Sequence, residues 1–195
     1  MAYASCAAEL AANIAQSCST PNVGGYTGRA VLIGRYMNPT MTYDSSNPRI
    51  VKAVTLESGD KTIVLDNVMP TDPLTGSTTE LATDNGWSVY NKSLAIRVPL
   101  RGAGVSKSII EPFVDSPLGV IAIVEKRYAG GDGSFEVIGL EKGLKATAET
   151  RNEYENGGDW AVTLSTTENF AEYTFFDTDY ATTLAKFEAL IALAV

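Results

Sequence analysis

The chain of 195 residues contains no histidine. That absence removes Ser-His-Asp and Cys-His nucleophile chemistry, histidine-assisted proton transfer and every zinc site that needs an imidazole ligand. Cysteine is nearly as scarce, with only Cys6 and Cys18. If both lie on one helix, their spacing is far too long for a disulfide. Two free thiols are the expectation, and a bridge across a kinked or unwound segment is the alternative. No apolar run approaches the length of a membrane-crossing helix. No lysine or arginine precedes Arg29, so the basic start of a secretory signal is missing and a cytoplasmic site of synthesis is expected. No glycine-rich loop closed by Gly-Lys-Ser or Gly-Lys-Thr is present to cradle a phosphate.

What is present describes a folded domain. Hydrophobic residues make up 45% and charged residues 19%, with 17 glycines, a balance that excludes a disordered tail. The length suits a single domain over 1–195 with an adequate core. The net charge of −8 is uneven: residues 141–180 hold nine acids against three bases. A surface of that sign repels nucleic-acid backbones, so neither specific nucleic-acid binding nor membrane binding is expected. A solvated face that maintains solubility is the plain reading of those acids.

Hydrophobic patterning sets the order of elements. Residues 4–17 read as a helix stopped by Ser19-Thr20-Pro21, giving a helical arm over 1–20. Residues 30–33 form a compact apolar strand, followed by a loop over 37–48. Residues 50–56 and 62–68 read as a hairpin around Glu57-Ser58-Gly59-Asp60. Residues 70–86, rich in Thr, Asp, Ser and Gly and without periodicity, read as a long loop, a kind of segment that tends to be functional. From Trp87 the pattern alternates, clearest at Leu94, Ile96, Val98 and Leu100, so one face is buried and one is wet. Residues 106–116 suit a short helix with Ser108 and Glu111 spaced as a capping box. Residues 120–124 and 135–140 form a hairpin, and a further pair is expected between 160–164 and 170–176. Residues 179–194 close the chain as a helix with Leu184, Phe187, Leu190 and Ile191 on one stripe, behind an aspartate cap. Roughly eight strands and three helices in this order imply an α+β fold, mainly an antiparallel β-sandwich or barrel with a mid-chain helix and short N- and C-terminal helices.

No constellation carries catalysis. Gly104-Val105-Ser106-Lys107-Ser108 lacks the closing glycine and the base of a nucleophile elbow, so Ser106 reads as a cap at the start of a helix. Gly131-Asp132-Gly133 is a turn, since a dinucleotide loop needs a third glycine and a following helix. Asp177-Thr178-Asp179 offers carboxylates to a hard cation, but a polar linker with Asp179 as helix cap is the simpler reading. Glu153 and Glu155 alternate on one strand face without a visible cleft. Tyr173, Phe175, Phe170 and Phe176 fall on both faces of one strand, which implies burial from both sides by a core or by a neighbouring subunit. No catalytic, cofactor-binding or metal-binding residue is assigned, no cofactor is implied, and a non-enzyme is expected.

Residues Gly25-Tyr26-Thr27-Gly28-Arg29-Ala30-Val31-Leu32-Ile33, and more fully 134–145 through 157–164, resemble structural proteins of tailed phages and prophages, especially those of Bacteroides-type hosts. The likeness is one of element order and composition over most of the chain, and it carries no site residues. Within that group the chain is most similar to the tail tube, or major tail, protein. The resemblance implies a virion protein that assembles with copies of itself and other virion proteins. Sheets would join between subunits into a ring, usually hexameric, and stacked rings would form a tube for DNA. It further implies that loop 70–86 holds stacked rings together and that the acidic 141–180 segment faces the lumen. A capsid-decorating or head-to-tail joining protein is the alternative. A carbohydrate-binding or adhesin-like module is a weaker one, with Trp87, Tyr90 and Trp160 as its candidate aromatics; a core role is favoured for Trp160.

Overall fold

A computed structural model describes residues 25–65, 74–84, 86–98, 102–111, 115–127, 131–152 and 158–194. The strands are β1 (Tyr26–Gly34), β2 (Thr40–Tyr43), β3 (Ile50–Thr55), β4 (Ile63–Leu65), β5 (Leu74–Asp84), β6 (Trp87–Val98), β7 (Val120–Lys126), β8 (Phe135–Ile138), β9 (Lys145–Arg151), β10 (Trp160–Glu168) and β11 (Tyr173–Phe175). A short helical turn, α1 (Ala103–Val105), runs into a wider π-helical turn at Ser106–Ile110, and α2 (Tyr180–Ile191) follows the last strand.

The strands make two sheets. Seven are ordered β2-β3-β11-β8-β7-β1-β4 and four are ordered β5-β6-β10-β9. Pairing is antiparallel except between β3 and β11, which run parallel. The β-sandwich-like α+β class expected from the sequence is present.

Three layers result, because the seven-stranded sheet is apolar on both faces. Along β1, Ala30 and Leu32 join Leu94, Ile96, Val162 and Leu164 of the smaller sheet in one core. The intervening Val31 and Ile33 join Phe187 and Leu190 of α2 in a second core. Strand β7 divides in the same way, with Ala122 and Val124 in the first core and Ile121 and Ile123 in the second. Consecutive side chains of a strand point to opposite faces, so an unbroken apolar run is what a strand in the middle layer requires. Alternation along β6 and β10 buries one face only, against the middle sheet.

The helix is fixed as its sequence suggests. Asp179 at the N-cap accepts a hydrogen bond from the Thr182 amide at 2.7 Å, which satisfies one of the free amides of the first turn. Phe187 is fully buried, with its ring 5.0 Å from that of Phe135. The buried Thr183 hydroxyl donates to the Asp179 carbonyl and accepts the Asp177 amide.

Several expectations are corrected. Residues 74–84 of the expected long loop are strand β5, paired with β6 over almost its whole length. Residues 37–48 contain β2. Both lie at sheet edges, where backbone pairing can hold a strand that has no apolar face. The expected hairpin of 50–56 with 62–68 does not form, because β3 pairs with β2 and β11 while β4 pairs with β1 at the other edge of the sheet. Strand β10 does not pair with β11 either; the chain leaves one sheet after Glu168 and enters the other at Tyr173. The mid-chain helix begins at Ala103, with Gly102 at its N-cap at φ 111, so Ser106 does not cap its start; the side chain of Ser108 lies outside the described residues. The 120–124 and 135–138 segments do form the expected hairpin, β7 with β8. The 4–17 helix, Cys6 and Cys18, residues 66–68 of the expected hairpin, residues 70–73 of the expected loop, Leu100 and Pro112 lie outside the described residues.

Two glycines are required where the connections cross. Gly119 and Gly143 have φ of 72 and 77, and a Cβ on either would overlap the backbone oxygen of Leu144 or Leu118 respectively. Nothing larger fits this corner, which carries the chain from β8 toward β9 beneath the start of β7.

Candidate functional site

The four-stranded sheet is built for only one buried face. Its outward face carries short hydroxyl and amide side chains. Thr78 Oγ1 lies 2.8 Å from Ser93 Oγ, Thr147 Oγ1 lies 3.0 Å from Ser165 Oγ, and the Thr167 hydroxyl donates to Asn91 Oδ1 at 3.0 Å. These pairs run across all four strands and floor a shallow groove of about 510 Å³ whose charged members include Glu80 and Lys145. The hydroxyls pair with one another, so the face is polar, with both signs of charge among its members.

Both edges of this sheet are open among the described residues: β5 pairs only with β6, and β9 only with β10. Their charges are opposite in balance. Strand β5 carries Glu80 and Asp84 and no base, whereas β9 carries Lys145 and Arg151 with Glu149. Each edge contains one register shift, near Gly76 in β5 and between the partners of Thr163 and Leu164 in β9. Regular backbone is left beyond both shifts.

Strands β5 and β6 outrun their neighbours. The last pairing of β6 with β10 is Tyr90 with Glu168, and three further β5–β6 pairs follow, ending at Asp84 with Trp87. Trp87 is 77% exposed and Leu81 is 68% exposed. An exposed tryptophan on a projecting hairpin is a large apolar surface left in water.

Several polar groups inside the fold face one another. Lys92 Nζ is 2.6 Å from Glu168 Oε2, both side chains fully buried, with the Tyr173 ring 5.5 Å from Nζ. The Tyr173 hydroxyl donates to Glu141, whose carboxylate also accepts the side-chain amide of Asn169 at 2.7 Å. Burial, then this carboxylate, pushes the Tyr173 hydroxyl above the ordinary tyrosine value. On the helix side, Glu125 accepts from Thr27 at 2.8 Å and faces Arg29 at 3.4 Å, while Arg29 also reaches Glu188 at 2.5 Å. Between the sheets, the Tyr26 hydroxyl meets Ser77 of β5 and donates to Glu136. Burial first and Glu136 second push Tyr26 up to about 12.

Among the described residues, the acids of 141–180 do not gather into one wall. Glu168 is buried against Lys92, Glu172 pairs with Lys126 at 2.5 Å, and Asp177 holds Lys186 at 2.8 Å and Lys52 at 3.5 Å. Asp177 and Asp179 do not converge on a cation position, since one is taken by lysines and the other by the helix amide. The Lys186 hydrogen bond lowers Asp177, and the Thr182 amide lowers Asp179. Among the described residues no group of acids and cysteines is arranged to hold a metal ion, and no helix is long and apolar enough to cross a membrane. Glu153 and Glu155 lie outside them.

The remaining candidates also find places. Ser106 is half-buried within the mid-chain helical turn. Gly131 precedes a single 3-10 turn, Asp132–Ser134, that leads into β8 as a turn should. Strand β11 lies between β3 and β8, with Tyr173 and Phe175 buried in the helix-side core, so its aromatics serve the chain's own interior. Trp160 is half-buried at the margin of the between-sheet core with the Arg151 guanidinium 5.7 Å from its ring. Tyr90 is half-buried. The sequence reading missed the β5 edge and the exposure of Leu81; the signal was the Thr-rich run itself, whose β-branched residues favour strands. No family model matches this sequence, and neither a curated protein nor a solved structure matches it.

Proposed function

We propose that the chain is a non-enzymatic virion subunit that assembles with copies of itself into stacked rings, forming a phage tail tube through which DNA passes. The observation that carries this reading is the four-stranded sheet, open at both edges among the described residues and extended by a hairpin that ends in exposed Trp87. Open edges present unpaired backbone groups, a hazard for a monomer and a ready joint for an assembly. The opposite charge balance of β5 and β9 favours pairing β5 of one copy with β9 of the next over like-with-like pairing. A repeated heterologous contact of that kind closes into a ring when its rotation closes. The outward hydroxyl face then turns toward the lumen. Lacking a basic array, it offers passing phosphates few cationic contacts. This replaces the acidic segment as the proposed lumenal surface.

Negative-stain microscopy of the purified full chain over a concentration series tests the reading. Rings or tubes are the expected result; a monomer persisting at high concentration overturns it. The paired change Leu81→Ser and Trp87→Ser should stop rings from stacking while leaving ring formation intact. Stacking that is unchanged in that variant refutes the role given to the hairpin.

A further inference from the structure

We propose that Lys92 and Glu168 become covalently joined in the folded protein, as an amide between Nζ and Cδ. The idea starts from where they sit. Lys92 occupies an inward position of β6 in line with Leu94, Ile96 and Val98, and Glu168 occupies an inward position at the end of β10. Alternation reserves both positions for apolar side chains. Both are 0% exposed, and their charged atoms are 2.6 Å apart.

The contact is close without being a good ion pair. It lacks the angles of a hydrogen bond, and neither Nζ nor Oε2 has another hydrogen-bond partner among the described residues. An ammonium has three N–H groups to place, and a dry pair of charges is favourable only when such groups are satisfied. Condensation removes both charges and leaves one neutral amide.

The surroundings supply what the reaction needs. A proton passes from the Lys92 ammonium to the Glu168 carboxylate, giving a neutral amine and a carboxylic acid. Nζ then attacks Cδ, and the developing negative charge on Oε1 faces the Glu141 backbone N–H, which lies 3.4 Å away. Collapse breaks the Cδ–Oε2 bond. Oε2 leaves with its own proton and one from Nζ, so one C–N bond forms, one C–O bond breaks and one water is released. No oxidant or co-reactant enters. Groups held this close in a site without bulk water react at effective concentrations on the order of 10⁵ M or more, which favours an amide that dilute amine and acid do not form. The Tyr173 ring over Nζ helps to keep that water out.

The proposal stands apart from the assembly reading, since it concerns one chain only. Intact mass of the full chain, measured after denaturation, reads it directly. The expected mass is that of the sequence less one water, and protease mapping should recover the Lys92 peptide joined to the Glu168 peptide. Lys92→Met should show the full mass, and Glu168→Gln should lose ammonia where the natural chain loses water. A full mass in the natural chain after prolonged incubation of the folded protein overturns the proposal. So does a missing water that maps elsewhere, such as a succinimide at Asp132-Gly133.

Discussion

The two sheets of this protein differ in how many faces they bury, and the difference separates its stability from its proposed function. The seven-stranded sheet is covered by the smaller sheet on one side and by α2 on the other, so neighbouring residues of β1 serve different cores. The four-stranded sheet buries one face and, among the described residues, leaves its other face and both edges uncovered. Where both faces are committed, little surface remains for a partner. Assembly is therefore expected to use the sheet that commits only one face to the core.

The sharpest way to break that comparison is to truncate neighbours in each sheet. Leu32→Ala and Ile33→Ala should each destabilise by about 2–5 kcal/mol, because each empties space in a packed core. In β6, Leu94→Ala should lose a similar amount, whereas Ser93→Ala should stay within about 0.5 kcal/mol of the parent. Urea midpoints of the four variants settle it. A split between Leu32 and Ile33 like that between Leu94 and Ser93 would show that β1 is not buried on both faces.

This same contrast decides what was legible in the sequence. The runs at 30–33 and 120–124 and the alternation at Leu94, Ile96 and Val98 reported burial, and each marked a strand. Strands β2, β5 and β9 were invisible because they lie at edges. Their side chains are largely exposed, so backbone pairing holds them and no periodicity of apolar residues records it. Strand partners were legible only where a turn joins them, as for β7 and β8. The pairings of β3 with β11 and β4 with β1 are set by distant packing. The open edges were thus hidden for the very reason that suits them to assembly: a strand awaiting a partner need not carry a buried face of its own.

Acid should loosen the helix side of the middle sheet. Asp177 and Asp179 both sit below the ordinary 3.8 when folded, the first through Lys186 and the second through the Thr182 amide. A depressed folded value means the contribution is complete above the ordinary aspartate range and is lost as pH falls through the folded values. The urea midpoint should therefore drop on acidification below about pH 4, and Asp177→Asn with Asp179→Asn should flatten part of that drop. An unchanged acid slope in the double variant would detach these aspartates from α2 stability. Alkali should act on the other side, where Tyr26 ties β1 to Ser77 of β5. Its folded value rises from 10.0 to about 12, so its contribution is present below pH 10 and is lost as pH rises toward 12. Tyr26→Phe should lessen the alkaline loss, as read by the urea midpoint at pH 9 and 11, each about one unit from the ordinary tyrosine value.

The smallest expected effect on stability is the most informative for function. Trp87 is 77% exposed on a hairpin that extends past β10, so Trp87→Ser removes almost no buried surface. Its unfolding midpoint should stay within about 0.5 kcal/mol of the parent, in contrast to the loss at Leu32. A tryptophan held in water by a stable hairpin contributes little to the isolated chain and much to a contact that covers it. Sedimentation across concentrations, run beside the unfolding measurement, separates the two roles. Weaker association at unchanged stability places Trp87 in an interface, whereas an equal fall in both returns it to the fold.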